Sequence, residues 1–285
     1  MDFHSHRYQT SRPWAKRIAQ TFQQTSSLPQ ACSEAAAIVQ RELEQAATLH
    51  RLNDTQRETE FVLAEAYGQF VRDGRRLYAL APTLQTALAH TRAPVALPSH
   101  PSLPTGTFML QLQHDEQHSA AFVTHDPAAR KVDMLLLQPD FAPADSPWFS
   151  RMEAALTLGV SYPDSVQVPD TPALAGWRPW LQAAFGTLAL LTQPRLQLES
   201  SWLQALTDTD SQLLRNGSQK ERQKLRTEQL KRGNQEVLLA SIAGLPTSWP
   251  QTVRAGYWRS QAGKRSPAEK LVWVPPRADT VTETV

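Results

Sequence analysis

The chain has 285 residues, 41% of them hydrophobic and 20% charged, with a net charge of +2. That length and balance supply a buried core for one large domain or two smaller ones, and exclude a disordered chain or a membrane-embedded one. One cysteine, Cys32, excludes an intrachain disulfide and any four-cysteine zinc site, and fits a reducing compartment.

No apolar run reaches membrane-spanning length; the longest, residues 134–137 and 188–191, are core-sized. The start, Met1-Asp2-Phe3-His4, has neither the basic n-region nor the apolar h-region of a secretory signal. The sequence therefore reads as cytoplasmic, with no membrane partner.

Residues 1–12 look loose. A first helix is expected over 13–24, with Pro13 in its first turn and Trp14, Ile18 and Phe22 forming an apolar stripe. A second, alanine-rich helix is expected from about 27–29 to 52, and a third over 54–71, capped by Asp54. Asp73-Gly74 ends it, and residues 77–88 read as a further short helix. Residues 1–90 thus form a helical region.

The period changes after His90. Phe108, Leu110 and Leu112 alternate within a strand over 107–112, residues 114–117 turn, and 119–124 return. After Asp126-Pro127, residues 132–137 complete a three-stranded meander. The prolines of residues 94–104 and 139–172 rule out long helices there, because proline removes a backbone donor and fixes φ. Residues 150–158 read as a short helix and 177–191 as a stronger one, with Gly186 its weak point and Pro194 beyond its end. A strand is expected over 196–198, helical fragments or turns over 200–206 and 211–214, and a strand over 235–242. Residues 253–260 and 270–274 read as two strands joined by a basic turn through Gly263, Lys264 and Arg265, and 278–285 as a frayed tail.

The expected fold is α+β: an N-terminal helical layer packed on a mixed or antiparallel sheet, with a C-terminal basic β-hairpin on that sheet. Residues 91–285 form the α+β region, and the two regions together read as separate parts or one composite domain.

Charge is divided unevenly along the chain. Residues 215–277 hold thirteen lysines and arginines against four acids, so they carry +9 and the remainder −7. Such asymmetry attracts polyanions when it collects on one face, or complements an acidic surface of the same molecule. If residues 219–231 are helical, Lys220, Lys224 and Lys231 share one face, and Arg222 and Arg226 another; Glu221 and Glu228 pair locally. The segment reads as a solvated surface helix or as a polyanion contact. The strand pair adds Arg254, Tyr257, Trp258, Arg259, Gln261, Lys264 and Arg265. Alternation puts Tyr257 and Arg259 on one side and Trp258 on the other, with either side inward. Arginine grips phosphate through several donors and an exposed aromatic stacks on a base, which suits RNA or single-stranded DNA. The same residue types also suit a protein interface.

The stretch Val253-Arg254-Ala255-Gly256-Tyr257-Trp258-Arg259-Ser260-Gln261, followed by Lys270-Leu271-Val272-Trp273-Val274-Pro275, resembles a C-terminal signature of phage- and plasmid-associated bacterial proteins. That signature is V-R-x-H-(W/F)-R-x-Q, a glycine-containing basic turn, and a strand ending W-I-x-P. An aliphatic strand precedes it, as residues 236–242 do here. This chain has Tyr257 where the pattern has histidine, and inserts Gly256. The resemblance spans about 40 residues; it implies mobile-element ancestry and an α+β fold, and carries no catalytic residue across.

Neither a G-x-x-x-x-G-K-(S/T) phosphate loop nor a G-x-G-x-x-G turn is present, so no nucleotide cofactor of those types is expected. His114 and His118 have a spacing that suits a metal on a helix, with Asp115 or His125 as a third ligand, but they sit in an expected turn. They read as polar turn residues, and no metal is assigned. Asp133 with Asp140, Asp145 or Glu153 is a nonspecific acidic grouping, Cys32 has no local histidine partner, and Ser260 lacks a nucleophile elbow. The leading reading is a nucleic-acid-binding accessory protein of a phage or plasmid. A protein-binding regulator or inhibitor and an unrecognised enzyme are the alternatives; oligomeric state is not readable.

Overall fold

The computed structural model describes residues 12, 14–45, 54–92, 94, 96–114, 117–139, 149–161, 164, 166–168, 174–232, 234–246, 253–263 and 266–278. Three helices, α1 (Ala15–Gln24), α2 (Leu28–Gln45) and α3 (Asp54–Arg72), form the N-terminal layer. Each forms where the apolar period is helical and buries that stripe: Ala15, Ile18 and Phe22 on α1, Ala31, Ala35 and Val39 on α2, Leu63, Tyr67 and Phe70 on α3. Gly68 lets α1 approach α3, since a Cβ there would stand 2.3 Å from the Phe22 ring. The segment before α1 is held by Arg12, whose Nε and Nη2 donate to Glu60 Oε2 and Oε1 at 2.7 and 2.6 Å, both side chains almost wholly buried.

The sheet is built from β1 (Leu77–Leu80), β2 (Gly106–His114), β3 (Gln117–Asp126), β4 (Lys131–Pro139), β5 (Phe149–Thr157), β6 (Val166–Gln167), β7 (Gln197–Trp202) and β8 (Glu236–Ser241). Its order is β6-β5-β4-β3-β2-β1-β8-β7. β1 runs parallel to both β2 and β8, and the remaining pairs are antiparallel. The sheet is therefore mixed, and takes strands from both sides of residue 90. Alternation sorts its side chains cleanly. Leu77, Ala79, Met109, Phe122, Leu135 and Val237 pack under the N-terminal helices. Tyr78, Phe108, Leu110, Val123, Met134 and Leu156 face the opposite side, where α5 (Leu174–Leu191) supplies Trp177, Trp180, Phe185 and Leu188. The molecule is a three-layer α/β/α arrangement.

One expected helix is a strand, and another is a strand over its first residues only. Residues 77–88 divide into β1 and α4 (Pro82–Ala89), with Pro82 in the first turn of the helix. Four consecutive apolar residues have no period that separates a buried strand from a helix turn, and β1 is buried on both faces. The helix expected over 150–158 is replaced by β5, in which Met152, Ala154 and Leu156 alternate into the core. Their helical propensity yields to nine paired positions along β4. The meander is accordingly longer than the three strands expected.

After β7, which takes in residues 200–202, α6 (Asp208–Asn216) and α7 (Gln219–Lys231) lead into β8. α7 begins at a capping box: the Glu221 N–H donates to Ser218 Oγ at 3.3 Å and the Ser218 N–H to Glu221 Oε2 at 2.8 Å. The Ser218 hydroxyl, which donates to Glu221 Oε2 at 2.7 Å, and then the Ser218 N–H hold the exposed Glu221 carboxyl below its usual range.

The C-terminal strands stand apart from the large sheet, which departs from the expected placement. β10 (Tyr257–Gly263) pairs antiparallel with β11 (Ser266–Val274), and β9 (Val253–Arg254) with β12 (Arg277–Ala278). A buried Gln193 just past α5 stands in for a neighbouring strand: its Nε2 donates to the Leu271 carbonyl at 3.0 Å and its Oε1 accepts from the Trp273 N–H at 2.9 Å. Trp273 Nε1 also donates to Thr91 Oγ1 at 3.3 Å. Gly256 is needed for this closeness, because a Cβ there would lie 2.7 Å from Thr91 Oγ1 and 2.9 Å from the Pro276 ring.

Glu60→Ala leaves the Arg12 guanidinium buried without its carboxylate, and is expected to cost about 3–5 kcal/mol in urea unfolding. A loss below about 1 kcal/mol, the scale of an exposed pair, would contradict this role for the ion pair.

Candidate functional site

Cationic and amide side chains converge on a groove of about 750 Å³ between α1, the α3–β1 turn and α7. Lys16, Arg75, Arg226 and Lys231 reach it from three parts of the chain, with Trp202 at the end of β7. Gln20, Gln23, Gln223, Asn234 and Gln235 add amides. Its one acidic lining residue is Glu236, which accepts from Arg226 Nε at 3.0 Å and from Nη2 at 3.3 Å.

Buried amides fix this geometry. Gln235 Nε2 donates to the Arg75 carbonyl at 3.1 Å, holding the turn after α3 against β8. Arg75 takes a left-handed φ of 56° and lies 5.9 Å from the Tyr67 ring. Asn234 Nδ2 donates to the Gln204 carbonyl at 3.0 Å and to Gln229 Oε1 at 3.1 Å, while Gln229 Nε2 donates to Asp210 Oδ2 at 2.9 Å. That chain joins α6, α7 and the end of β7 into one rigid wall.

The sequence-predicted cations divide between two surfaces. On α7, Lys220 and Lys224 are exposed, Arg222 is half-buried, and Arg226 turns into the groove. On the far side of the sheet, Arg254 is exposed on β9 and Arg259 on β10. Tyr257 is 49% exposed, while Trp258 turns inward, its ring 6.3 Å from Trp273. The alternation left open by the sequence is thus resolved with Trp258 inside. Gln261 lies on β10, its side chain outside the described residues, as are Lys264 and Arg265. Lys16, Arg75 and Trp202 were not singled out by the sequence; only the fold brings them together.

The other candidates are placed as follows. His114 and His118 occupy facing strands of the β2–β3 turn, paired with Gln117 and Gln113. His125 is buried, its Nδ1 3.1 Å from the Pro104 carbonyl. Asp133 pairs with Lys131 at 2.7 Å and Glu153 with Arg151, while Asp115, Asp140 and Asp145 lie outside the described residues. Among the described residues no group of three or more His, Cys, Asp or Glu is placed to hold a metal. Ser260 lies on β10, its side chain outside the described residues. The Cys32 thiol lies 3.5 Å from Glu65 Oε1, and burial, then the Glu65 charge, push its pKa up to about 11.

A nucleophilic cysteine needs the opposite shift. Cys32 is therefore expected to alkylate at least about tenfold more slowly than a free thiol at pH 8, where its thiolate is scarce. Mass spectrometry of an iodoacetamide time course measures this; a rate above that of free cysteine would contradict the environment described. A second outcome concerns the hairpin. Gln193→Ala leaves the Leu271 carbonyl and the Trp273 N–H unpaired, at a cost of about 1–3 kcal/mol. Limited proteolysis should then cut first within residues 253–278, and an unchanged pattern would show that Gln193 does not hold these strands.

No protein-family model matches the chain, and no curated protein matches it. Among solved structures the chain is similar to AcrVA2, whose crystal structure matches at a TM-score of 0.42 and 10% identity over 95% of this chain and 96% of that one.

Proposed function

We propose that the protein binds single-stranded nucleic acid, as an accessory protein of the phage- and plasmid-associated kind that its C-terminal signature resembles. The observation that carries the reading is the groove between α1 and α7, where four cations, five amides and one tryptophan meet a single, already paired acid. Cations spaced along a groove follow a phosphate backbone, an indole offers a stacking face, and amides both donate and accept at base edges. Lys220, Arg222 and Lys224 extend the positive field along α7. Arg254, Tyr257 and Arg259 form a second contact on the other side of the sheet; Gln261, Lys264 and Arg265 are assigned to it from the sequence alone. No reaction is assigned to these groups.

Titration of labelled single-stranded RNA, single-stranded DNA and duplex DNA at two salt concentrations tests this. Single strands are expected to bind more tightly than duplex, and binding should weaken with salt. Lys16→Ala with Lys231→Ala should reduce the magnitude of the log–log salt slope by about 1.4, roughly 0.7 per lost phosphate contact. Trp202→Ala should cost about 1–3 kcal/mol at every salt concentration if the ring stacks on a base. Absence of binding at low salt, or binding untouched by these changes, would reject the reading.

A further inference from the structure

A second cavity, of about 420 Å³, opens on the α5 side of the sheet where α4, α5 and β2 meet. It lies at the C-terminal ends of parallel strands β1 and β2. At β1 the sheet continues to β2 on one side and β8 on the other, the kind of crevice where open α/β sheets take ligands. Its walls include Leu80, Leu88, Leu112, Pro94, Pro179 and Ala183. The volume falls within the range of small-molecule sites.

One wall is a strand edge that has no strand partner among the described residues. β2 pairs with β3 as far as His114↔Gln117, but with β1 only at Leu77↔Met109 and Tyr78↔Leu110. Beyond Tyr78, β1 continues alongside β8 alone, through Ala79↔Leu239 and Leu80↔Ala240. The Met109 N–H donates to the Arg76 carbonyl at 2.9 Å, so backbone alternation turns the Gln111 and Gln113 groups to the same side. The Tyr78↔Leu110 register uses the Gln111 N–H. The Gln111 carbonyl, Gln113 N–H and Gln113 carbonyl then present acceptor, donor and acceptor in a row along the cavity.

Three nearby side chains are already engaged. Gln85 Nε2 donates to the Leu80 carbonyl at 2.8 Å, Thr86 to the Pro82 carbonyl at 2.9 Å and Thr187 to the Ala183 carbonyl at 2.7 Å. The backbone edge, with the Gln182 side chain among the other lining groups, is left for recognition. Arg92 stands at the rim, exposed, with its N–H fixed on the Gly256 carbonyl at 3.0 Å.

We propose that this cavity binds a purine mononucleotide. The exocyclic amine of an adenine donates to the Gln111 carbonyl, and the adjacent ring nitrogen accepts from the Gln113 N–H. The flat base lies between the leucine and proline walls, and the phosphate reaches Arg92. A guanine presents the reverse order on that edge and a pyrimidine fills less of the walls, so adenine is the preferred base. The proposal goes beyond the reading of the α1–α7 groove and does not rest on it.

Calorimetric titration of the full chain with AMP, adenosine, GMP and CMP tests the proposal. AMP is expected to bind with a Kd of about 0.1 mM, and adenosine about tenfold more weakly for want of the phosphate contact. Arg92→Ala should bring AMP to the level of adenosine. Gln113→Pro removes the donor from an edge position, where proline is tolerated, and should weaken AMP about tenfold; Gln113→Ala keeps the backbone and should stay within about twofold. Ala183→Phe fills the cavity and should abolish binding, which keeps the test decisive if the proline variant does not fold. Lys16→Ala with Lys231→Ala should leave AMP binding unchanged, separating this site from the groove. No AMP binding at about 5 mM, or binding indifferent to both Gln113→Pro and Ala183→Phe, would overturn the proposal.

Discussion

β1 holds the sheet together. It is four residues long, buried on both faces, and hydrogen-bonded in parallel to β2 on one side and β8 on the other. The antiparallel meander from β2 to β6 and the β7–β8 pair become one surface only through it. Parallel neighbours on both sides require that both faces be covered, since neither face of β1 carries a polar residue for solvent. The N-terminal helices cover one side, with α4 and α5 on the other. The brevity of β1 has a further consequence: β2 outlasts it, and on that side its last residues have no strand partner among the described residues.

Polar groups within the layers act as fixed spacers. Arg12 and Glu60 meet in a two-bond geometry that leaves little of either charge to solvent. Gln193, Asn234 and Gln235 each tie a backbone group from one element to another, doing with an amide what a ladder bond does between strands. Such bonds stabilise modestly when made and cost more when half broken, so they set positions more than they add stability. The α1–α7 groove is shaped by two of them.

The charge asymmetry of the chain takes a spatial form that a count does not convey. Cations of α7 join Lys16 and Arg75 from the acidic part of the sequence, while those of β9 and β10 lie across the sheet with α5. Field strength depends on such grouping, because screening in physiological salt confines each patch to roughly 8 Å. The two surfaces lie on different sides of the sheet, and each is judged by its own residues.

By itself the sequence determined the elements whose period is long and unbroken. α1, α3 and α5 fall where the apolar stripes place them, and β2, β3 and β4 where alternation does; α7 covers the stretch read as a surface helix or a polyanion contact. The sequence also located Trp258 and Tyr257 on opposite sides of one strand. The tertiary structure decided which of them is inside, that residues 77–80 and 150–157 are strands, and that the C-terminal pair leaves the large sheet. Short apolar runs carry no period, and a helix-favouring stretch becomes a strand when neighbours supply its hydrogen bonds. Both cavities are equally tertiary: Lys16 and Lys231 line one, and Arg92 and Ala183 the other, only because the chain returns to them after long separations. Spacing along a chain records local geometry and is silent about that return.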